Sequence, residues 1–158
     1  MKIQGTQLLP GPREQVWELF NNPQRLAKLL PGCERLEPDG KNRYKVAIKF
    51  ALAAFSGAYS GSVELSEQKP PKSMHLRVEG KGTPGFMKGE GNLELVEKGS
   101  QTEVRYSGDA QVGGLIAAVG QRMIEAAAKK ILQQFFQSAT EQLQSTQNRG
   151  GHRVAPQV

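Results

Sequence analysis

The sequence predicts a single α+β domain, in which a curved antiparallel sheet of seven strands wraps around a long C-terminal helix. Two observations predict this fold. From Pro31-Gly32 to about residue 112, apolar and polar residues alternate, as they do in a sheet with one dry and one wet face. Over residues 115–144, apolar residues recur every three or four positions without a proline, as along one face of a helix. The 158 residues fit one domain of ordinary size.

The N-terminal region predicts one strand followed by two short helices. Residues 2–9 form the strand. Pro12 suits the first position of a helix, because the amide at that position has no partner inside the helix. Residues 12–21 then carry apolar side chains at helical spacing, and Gln24 to Leu30 form the second helix, which Pro31-Gly32 ends.

Six further strands are predicted between the second helix and the long helix. Alternating segments run over Tyr44 to Leu52, Tyr59 to Leu65, Met74 to Val78, Asn92 to Leu95 and Glu103 to Tyr106. Turn signals separate the strands at residues 38–40, 56–57, 69–72, 83–85 and 98–100. Gly61, Gly89, Gly91 and Gly108 are expected to let the strands bend.

The predicted long helix is about 45 Å long, enough to cross a sheet. One helix face carries eight residues: Ile116, Val119, Met123, Ala127, Ile131, Phe135, Ala139 and Leu143. A single helix cannot cover seven strands, so the sheet must curl around it and enclose a cavity. Residues 1–144 are therefore expected to form the domain, and the polar residues 145–158 a disordered tail.

Composition narrows the function classes. The net charge of +6 favours acidic surfaces, but the lysines and arginines are scattered and no nucleic-acid-binding module is recognisable. The longest apolar runs fall far short of the ~20 residues that span a bilayer. The N-terminus has no secretory signal, and a lone Cys33 agrees with a reducing cytoplasm.

Chemical motifs give no catalytic or metal site. Residues 80–85 match a dinucleotide fingerprint, but a strand pattern follows where that fingerprint needs a helix. Ser60 sits on a strand and lacks the spacing of a nucleophile elbow. His75 faces the wet side, His152 lies in the tail, and Cys33 has no partner at ligand spacing. We therefore expect no catalytic residue, no metal ligand and no cofactor.

Two sets of residues are the candidate site. The side chains expected to face the cavity and its ligand are Phe50, Tyr59, Val63, Met74, Leu76, Met87, Tyr106, Ile116 and Met123. The parity of the hairpins brings a second set to one rim, flanked by Lys28 and Lys88, where it would contact a membrane or a partner: Leu30, Phe55, Phe86 and Leu115. The alternative is that these four tips fold back and cap the core.

Several short segments carry a family resemblance over residues 1 to about 143. They are Val16-Trp17, Leu30-Pro31-Gly32-Cys33, Gly57 with Tyr59 and Gly61, Gly89-Glu90-Gly91, Thr102-Glu103-Val104, and Val112 to Ala117 with Gly120 and Arg122. The chain resembles the family of the G subunit of carbon monoxide dehydrogenase. That family lies within the START-like, polyketide-cyclase-related (SRPBCC) superfamily of helix-grip ligand-binding domains.

The resemblance implies a non-catalytic accessory protein. Such a protein would bind a lipid or a quinone-like molecule and link a molybdenum-containing dehydrogenase or hydroxylase to the membrane. It would lie in the cytoplasm, with a peripheral position at the inner face of the cytoplasmic membrane left open. Two alternatives also stay open: an enzyme of the polyketide-cyclase or dehydratase type, and a pure protein-protein recruiter with a filled core.

Overall fold

The computed structural model describes the chain over residues 1–154, and its side chains up to residue 145. The strands are β1 Lys2–Leu9, β2 Cys33–Pro38, β3 Arg43–Phe50, β4 Gly57–Lys69, β5 Ser73–Gly82, β6 Gly85–Lys98 and β7 Gln101–Gly113. The helices are α1 Arg13–Asn21, α2 Pro23–Ala27 and α3 Gln121–Val154, with 3₁₀ turns at Ala53–Phe55 and Leu115–Val119.

The seven strands form one antiparallel sheet in the order β1-β7-β6-β5-β4-β3-β2. Strands β2 to β7 follow one another as hairpins, and β1 pairs with β7 at the far edge. This arrangement confirms the predicted fold: a curved antiparallel sheet with two short helices and a long C-terminal helix. We call the side that faces the helices the concave face and the other side the convex face.

Glycines produce the curvature of the sheet. Gly61 lies opposite Gly80, and Gly91 lies opposite Gly108, all on the concave face. A β-carbon on Gly61 would overlap the carbonyl oxygen of Glu79 in the neighbouring strand, and one on Gly91 or Gly108 would also collide with backbone. The backbones approach so closely that only glycine fits. The expectation that Gly61, Gly91 and Gly108 permit the bend is therefore supported.

The long helix begins later than predicted. Residues 115–119 form a 3₁₀ turn, and Gly120 follows with a φ of +95°, a conformation that interrupts an α-helix. Because α3 starts only at Gln121, its buried side is set by Ile124, not by Met123. Met123 is 47% exposed, so its predicted place inside the cavity is wrong.

The remainder of the helix follows the predicted face more closely. Ala127, Ala139 and Leu143 are buried as expected, and Phe136 is buried beside the half-buried Phe135. The helix extends to Val154. Side chains after residue 145, and residues 155–158 altogether, lie outside the described part of the chain. The predicted tail over residues 145–158 and the domain limit at residue 144 stay predictions.

The hydrophobic core fills one end of the concave face, which we call the closed end. Here α1 and the later part of α3 pack on strands β1, β6 and β7, and the side chains in this core have almost no exposed surface: Leu9, Val16, Leu19, Leu29, Leu95, Val104 and Leu143. Thr102 is also fully buried, and its hydroxyl donates a hydrogen bond to the Gly11 carbonyl oxygen at 2.7 Å. That bond fastens the turn before α1 to β7.

Candidate functional site

The opposite end of the concave face, which we call the open end, is assembled from four chain segments. They are the loop after α2, the 3₁₀ turn Ala53–Phe55, the β5–β6 turn and the 3₁₀ turn Leu115–Val119. The Lys49 amide donates to the Gly32 carbonyl at 2.9 Å, which fixes the first of these segments against β3.

Two more hydrogen bonds hold the other segments at the open end. The Tyr59 hydroxyl donates to the Phe55 carbonyl at 2.9 Å, which ties the first 3₁₀ turn to β4. The Ile116 amide donates to the Pro84 carbonyl at 2.8 Å, which ties the second 3₁₀ turn to the β5–β6 turn. Positions far apart in the sequence are thus fixed around one end of the sheet.

The nine residues expected to line a cavity divide between the two ends. Val63 and Met74 are buried in the core at the closed end, and Leu76 and Tyr106 pack against that core. Phe50, Tyr59, Met87 and Ile116 belong to the open end, where Tyr59 and Ile116 are buried and the other two are half-buried. Met123 lies outside on the surface. The structure therefore brings only four of the nine together at the open end.

The predicted site left out further residues of the open end. Half-buried apolar side chains there also include Ile48, Leu52, Val112 and Val119, of which Val119 had been predicted only as part of the inward helix face. The signal for Ile48 and Val112 was available, because the strand alternation that assigned their neighbours to the concave face extends to both of them. Gly80 and Gly89 also face this side and contribute no side chain.

The centre of the concave face is thus a floor of glycines bordered by half-buried apolar side chains. Helix α3 packs chiefly against β1, α1 and the turn Leu115–Val119. A β-carbon on Gly80 would meet Met87 and the Ser60 carbonyl oxygen at 3.7 and 3.9 Å, which is ordinary contact distance, so this glycine, unlike Gly61, has room for a methyl group. Separate surface depressions of about 400 and 590 Å³ occur on the convex face and between β1 and α3.

Aromatic rings mark the boundary between the filled core and the open end. Tyr106 stacks on Phe136 with ring centroids 5.5 Å apart, and Phe135 meets Phe136 edge-on at 5.3 Å. Within the open end, Phe50 contacts Tyr59 edge-on at 5.6 Å. The Tyr106 hydroxyl lies over Gly5 of β1, where a β-carbon would come within 2.6 Å of it, so this ring packs between the edge strand and the core.

Tyr44, Tyr59 and Tyr106 are titratable side chains at inward positions of β3, β4 and β7, and Glu97, inward on β6 at the closed end, pairs with Arg13 of α1 at 3.1 Å. Burial raises the pKa of Tyr59, so its phenol keeps its proton at neutral pH. Burial likewise raises the pKa of the Cys33 thiol. Among the residues with described coordinates, no group of three potential metal ligands occurs.

His75 lies on the convex face, away from these groups. Its Nδ1 is 3.0 Å from Asn92 Oδ1 and its Nε2 is 3.2 Å from Glu90 Oε2. The hydrogen bonds to Asn92 and Glu90 raise the pKa of His75, because both oxygens accept from the protonated ring. His75 therefore lies on the solvent-facing side of the sheet, as the alternation of apolar and polar residues predicted.

The four predicted rim residues differ in exposure. Leu30 and Phe55 are half-buried, whereas Phe86 is 40% exposed and Leu115 is 75% exposed. Phe86 points to the convex side of the β5–β6 turn, where its ring covers Gly113. No helix in the described part of the chain is long and apolar enough to cross a membrane.

Comparison with solved structures places the fold among known proteins. A conserved protein from Geobacillus kaustophilus is 34% identical, with a TM-score of 0.90 over 92% of this chain and 97% of that chain. A START superfamily protein from Mycobacterium smegmatis has a TM-score of 0.72 at 10% identity, over 92% of this chain and 98% of that one. The Zhui aromatase/cyclase from Streptomyces sp. R1128 has a TM-score of 0.67 at 13% identity, over 99% and 96%.

The last two likenesses show the START-like fold and nothing finer, because their identities are low. No curated protein matches the chain. The family model of CoxG, the G subunit of carbon monoxide dehydrogenase, matches residues 5–144, which is nearly the whole described chain. The chain therefore belongs to the CoxG family.

Proposed function

We propose that this protein is a non-catalytic accessory protein that holds a hydrophobic small molecule, a lipid or a quinone-like compound, at the open end of the concave face. The observation that carries the proposal is the glycine floor bordered by apolar side chains that stay half-exposed. A folded protein normally buries such side chains, and a concave apolar surface with few polar groups is the usual form of a small-molecule site.

Simple energetics indicate the kind of ligand. Burying about 300 Å² of apolar surface yields ~7.5 kcal/mol, from which association subtracts ~4 kcal/mol or more. Micromolar affinity, ~8 kcal/mol, requires roughly 500 Å² of buried apolar surface. That area favours a molecule with an aliphatic tail over a compact ring.

Membership of the CoxG family supports the wider role. We infer that the ligand is exchanged between a membrane and a molybdenum-type oxidoreductase resembling carbon monoxide dehydrogenase. The protein would link that enzyme to the inner face of the cytoplasmic membrane as a peripheral, cytoplasmic component. Enzymatic activity of the cyclase type is not favoured, since the inward strand positions of the open end offer the phenol of Tyr59, and the inward carboxylate of Glu97 lies at the closed end, paired with Arg13.

Position 80 allows a direct test of ligand uptake. Gly80→Phe should fill the space above the glycine floor, and Gly80→Ala is the matched control because its β-carbon meets only ordinary contacts. The probe is Nile red, whose fluorescence rises in apolar surroundings, with decylubiquinone as competitor. We expect saturable uptake by the unaltered protein and by Gly80→Ala, and at least ~10-fold weaker uptake by Gly80→Phe.

The same titration also decides between the alternatives. Absence of saturable uptake by the unaltered protein would favour the recruiter with a filled core. Equal uptake by Gly80→Phe and Gly80→Ala would mean that the dye binds elsewhere, for example between β1 and α3.

A further inference from the structure

We propose that the open end docks onto an anionic lipid surface, with Phe86 and Leu115 entering the interface and Lys81, Lys88 and Arg122 contacting the lipid phosphates. This inference rests on the proposed function, because it names the lipid chemistry and the surface through which a ligand would pass between membrane and cleft. It is carried by the clustering of exposed apolar side chains at the open end and by the position of three cations beside them.

Exposed apolar side chains cluster at the open end. The large hydrophobic residues with the highest exposure in the described part of the chain are Phe86, Leu115, Met123 and Leu8. The first three lie on the β5–β6 turn, the second 3₁₀ turn and the first turn of α3, which adjoin one another. Leu8 stands alone on β1 near the closed end. The three together form a cluster of exposed apolar surface at one end of the molecule, and such clusters usually mark interaction sites.

Cations surround the same tips. Lys81 lies directly opposite Phe86 in the β5–β6 register, Lys88 follows two positions along β6 on the same face, and Arg122 precedes Met123. None of the three cations forms an ion pair with another residue that the structure describes. The acidic groups nearest in position are Glu79, opposite Lys88, and Glu125 on α3.

The convex side of the sheet adds a recess beside the same residues. A depression of about 590 Å³ is bordered by Lys81, Lys88, Glu79 and Phe86. A lipid headgroup resting there would bring its phosphate to two lysines that form no ion pair with the described residues.

Charge and shape favour a lipid surface over a protein partner. Phe86 and Leu115 lie beside turns at one end of the sheet with exposed apolar surface, a position from which they can insert among mobile lipids. Each lysine near an anionic membrane strengthens binding by a factor of about five. The net charge of +6 attracts the whole molecule to such a surface. At the closed end, Arg13 pairs with Glu97 and Arg105 with Glu94, and the exposed apolar residue Leu8 stands apart from the lysines Lys69 and Lys72 of the β4–β5 turn.

Vesicle sedimentation with the full chain tests the proposal. The vesicles contain phosphatidylglycerol and phosphatidylcholine in equal parts, or phosphatidylcholine alone. We expect binding to the first and little to the second. Lys81→Gln with Lys88→Gln should weaken binding roughly 25-fold, and Phe86→Ser with Leu115→Ser at least ~10-fold.

Matched controls carry the same changes at the closed end. Lys69→Gln with Lys72→Gln removes two lysines that form no ion pair with the described residues, and Leu8→Ser removes the exposed apolar residue remote from the rim. Both should bind vesicles within about twofold of the unaltered protein. The lysine variant at the rim should also keep its Nile red uptake, which separates docking from ligand binding.

Two results would overturn docking. One is equal sedimentation with both kinds of vesicle, and the other is a rim variant that binds no worse than its closed-end control. Either result with Nile red uptake intact refutes the docking surface and leaves ligand binding standing. Vesicle binding without dye uptake refutes the ligand-binding proposal instead.

Discussion

The two ends of the concave face are built from the same strands, yet they differ in how their side chains are used. At the closed end, Leu95 and Val104 belong to the same hydrophobic core as Leu143 of α3 and are almost completely buried. At the open end, Phe50 and Met87 border a floor of glycines and stay half-buried. The difference indicates that one end supplies most of the folding free energy, which leaves the other free to keep apolar surface exposed.

The cause of the difference lies in what covers each end. Helix α1 and the later part of α3 pack over the closed end, and the Thr102–Gly11 hydrogen bond fixes the chain around it. The open end is covered by the short turn Leu115–Val119 and the start of α3. The positive φ of Gly120 separates those two segments and turns the chain between them.

The largest expected effect compares one substitution at each end. Leu95→Ala should lower the free energy of unfolding by about 3 kcal/mol, because a fully buried leucine leaves a cavity in a packed core. Met87→Ala should cost under ~1 kcal/mol, because Met87 is only half-buried. Urea denaturation of both variants measures the contrast, and similar losses for both would show that the open end is packed like the core.

A second comparison uses two glycines that face each other across the β4–β5 pair. Gly61→Ala should destabilise the fold by about 2 kcal/mol or more, since its β-carbon would overlap the Glu79 carbonyl oxygen. Gly80→Ala should change stability by under ~1 kcal/mol, because its β-carbon meets ordinary contacts. Thermal unfolding of the two variants measures the difference, and a tolerated Gly61→Ala would contradict the role of Gly61 in the bend.

The strands could be predicted from the sequence, but the residue at which the last helix begins could not. The alternation of apolar and polar residues identified the sheet, because the concave face carries mostly apolar residues at both of its ends. Helical spacing over residues 115–144 could not reveal the break at Gly120, since a positive φ leaves no mark on apolar periodicity. The resulting error in phase put Met123 inside and overlooked Ile124.

The candidate site was predictable in part. Alternation assigned Phe50, Tyr59 and Met87 to the concave face, and the same rule could have added Ile48 and Val112. The alternation could not distinguish the filled end from the open end. Val63 and Met87 occupy equivalent positions in the alternating pattern, and only the placement of the helices over the sheet determines which of them is buried in the core. Hairpin parity brought the rim segments together, but it could not distinguish exposed tips from half-buried ones.

The smallest expected effect is a change in the pKa of His75 on the convex face, which should leave both ends of the concave face unaffected. The hydrogen bonds to Asn92 and Glu90 raise the pKa of His75 in the folded state. The stability that His75 contributes is therefore complete below its unfolded pKa of about 6.5 and is lost as the pH rises through the folded pKa. Asn92→Ala should lower the pKa of His75 in an NMR titration, with Ser107→Ala as the control, and Nile red uptake should not change.

An unchanged pKa of His75 in Asn92→Ala would show that this hydrogen bond does not hold the protonated ring. Loss of dye uptake in the same variant would contradict the separation of the convex face from the cleft.

Native mass spectrometry with decylubiquinone tests the central claim most directly, because it counts bound molecules without a reporter dye. We expect a one-to-one adduct for the unaltered protein and for Gly80→Ala, and its loss in Gly80→Phe while the charge-state distribution stays that of a folded chain. An adduct of equal abundance in Gly80→Phe, or none in the unaltered protein, would contradict a ligand site above the glycine floor.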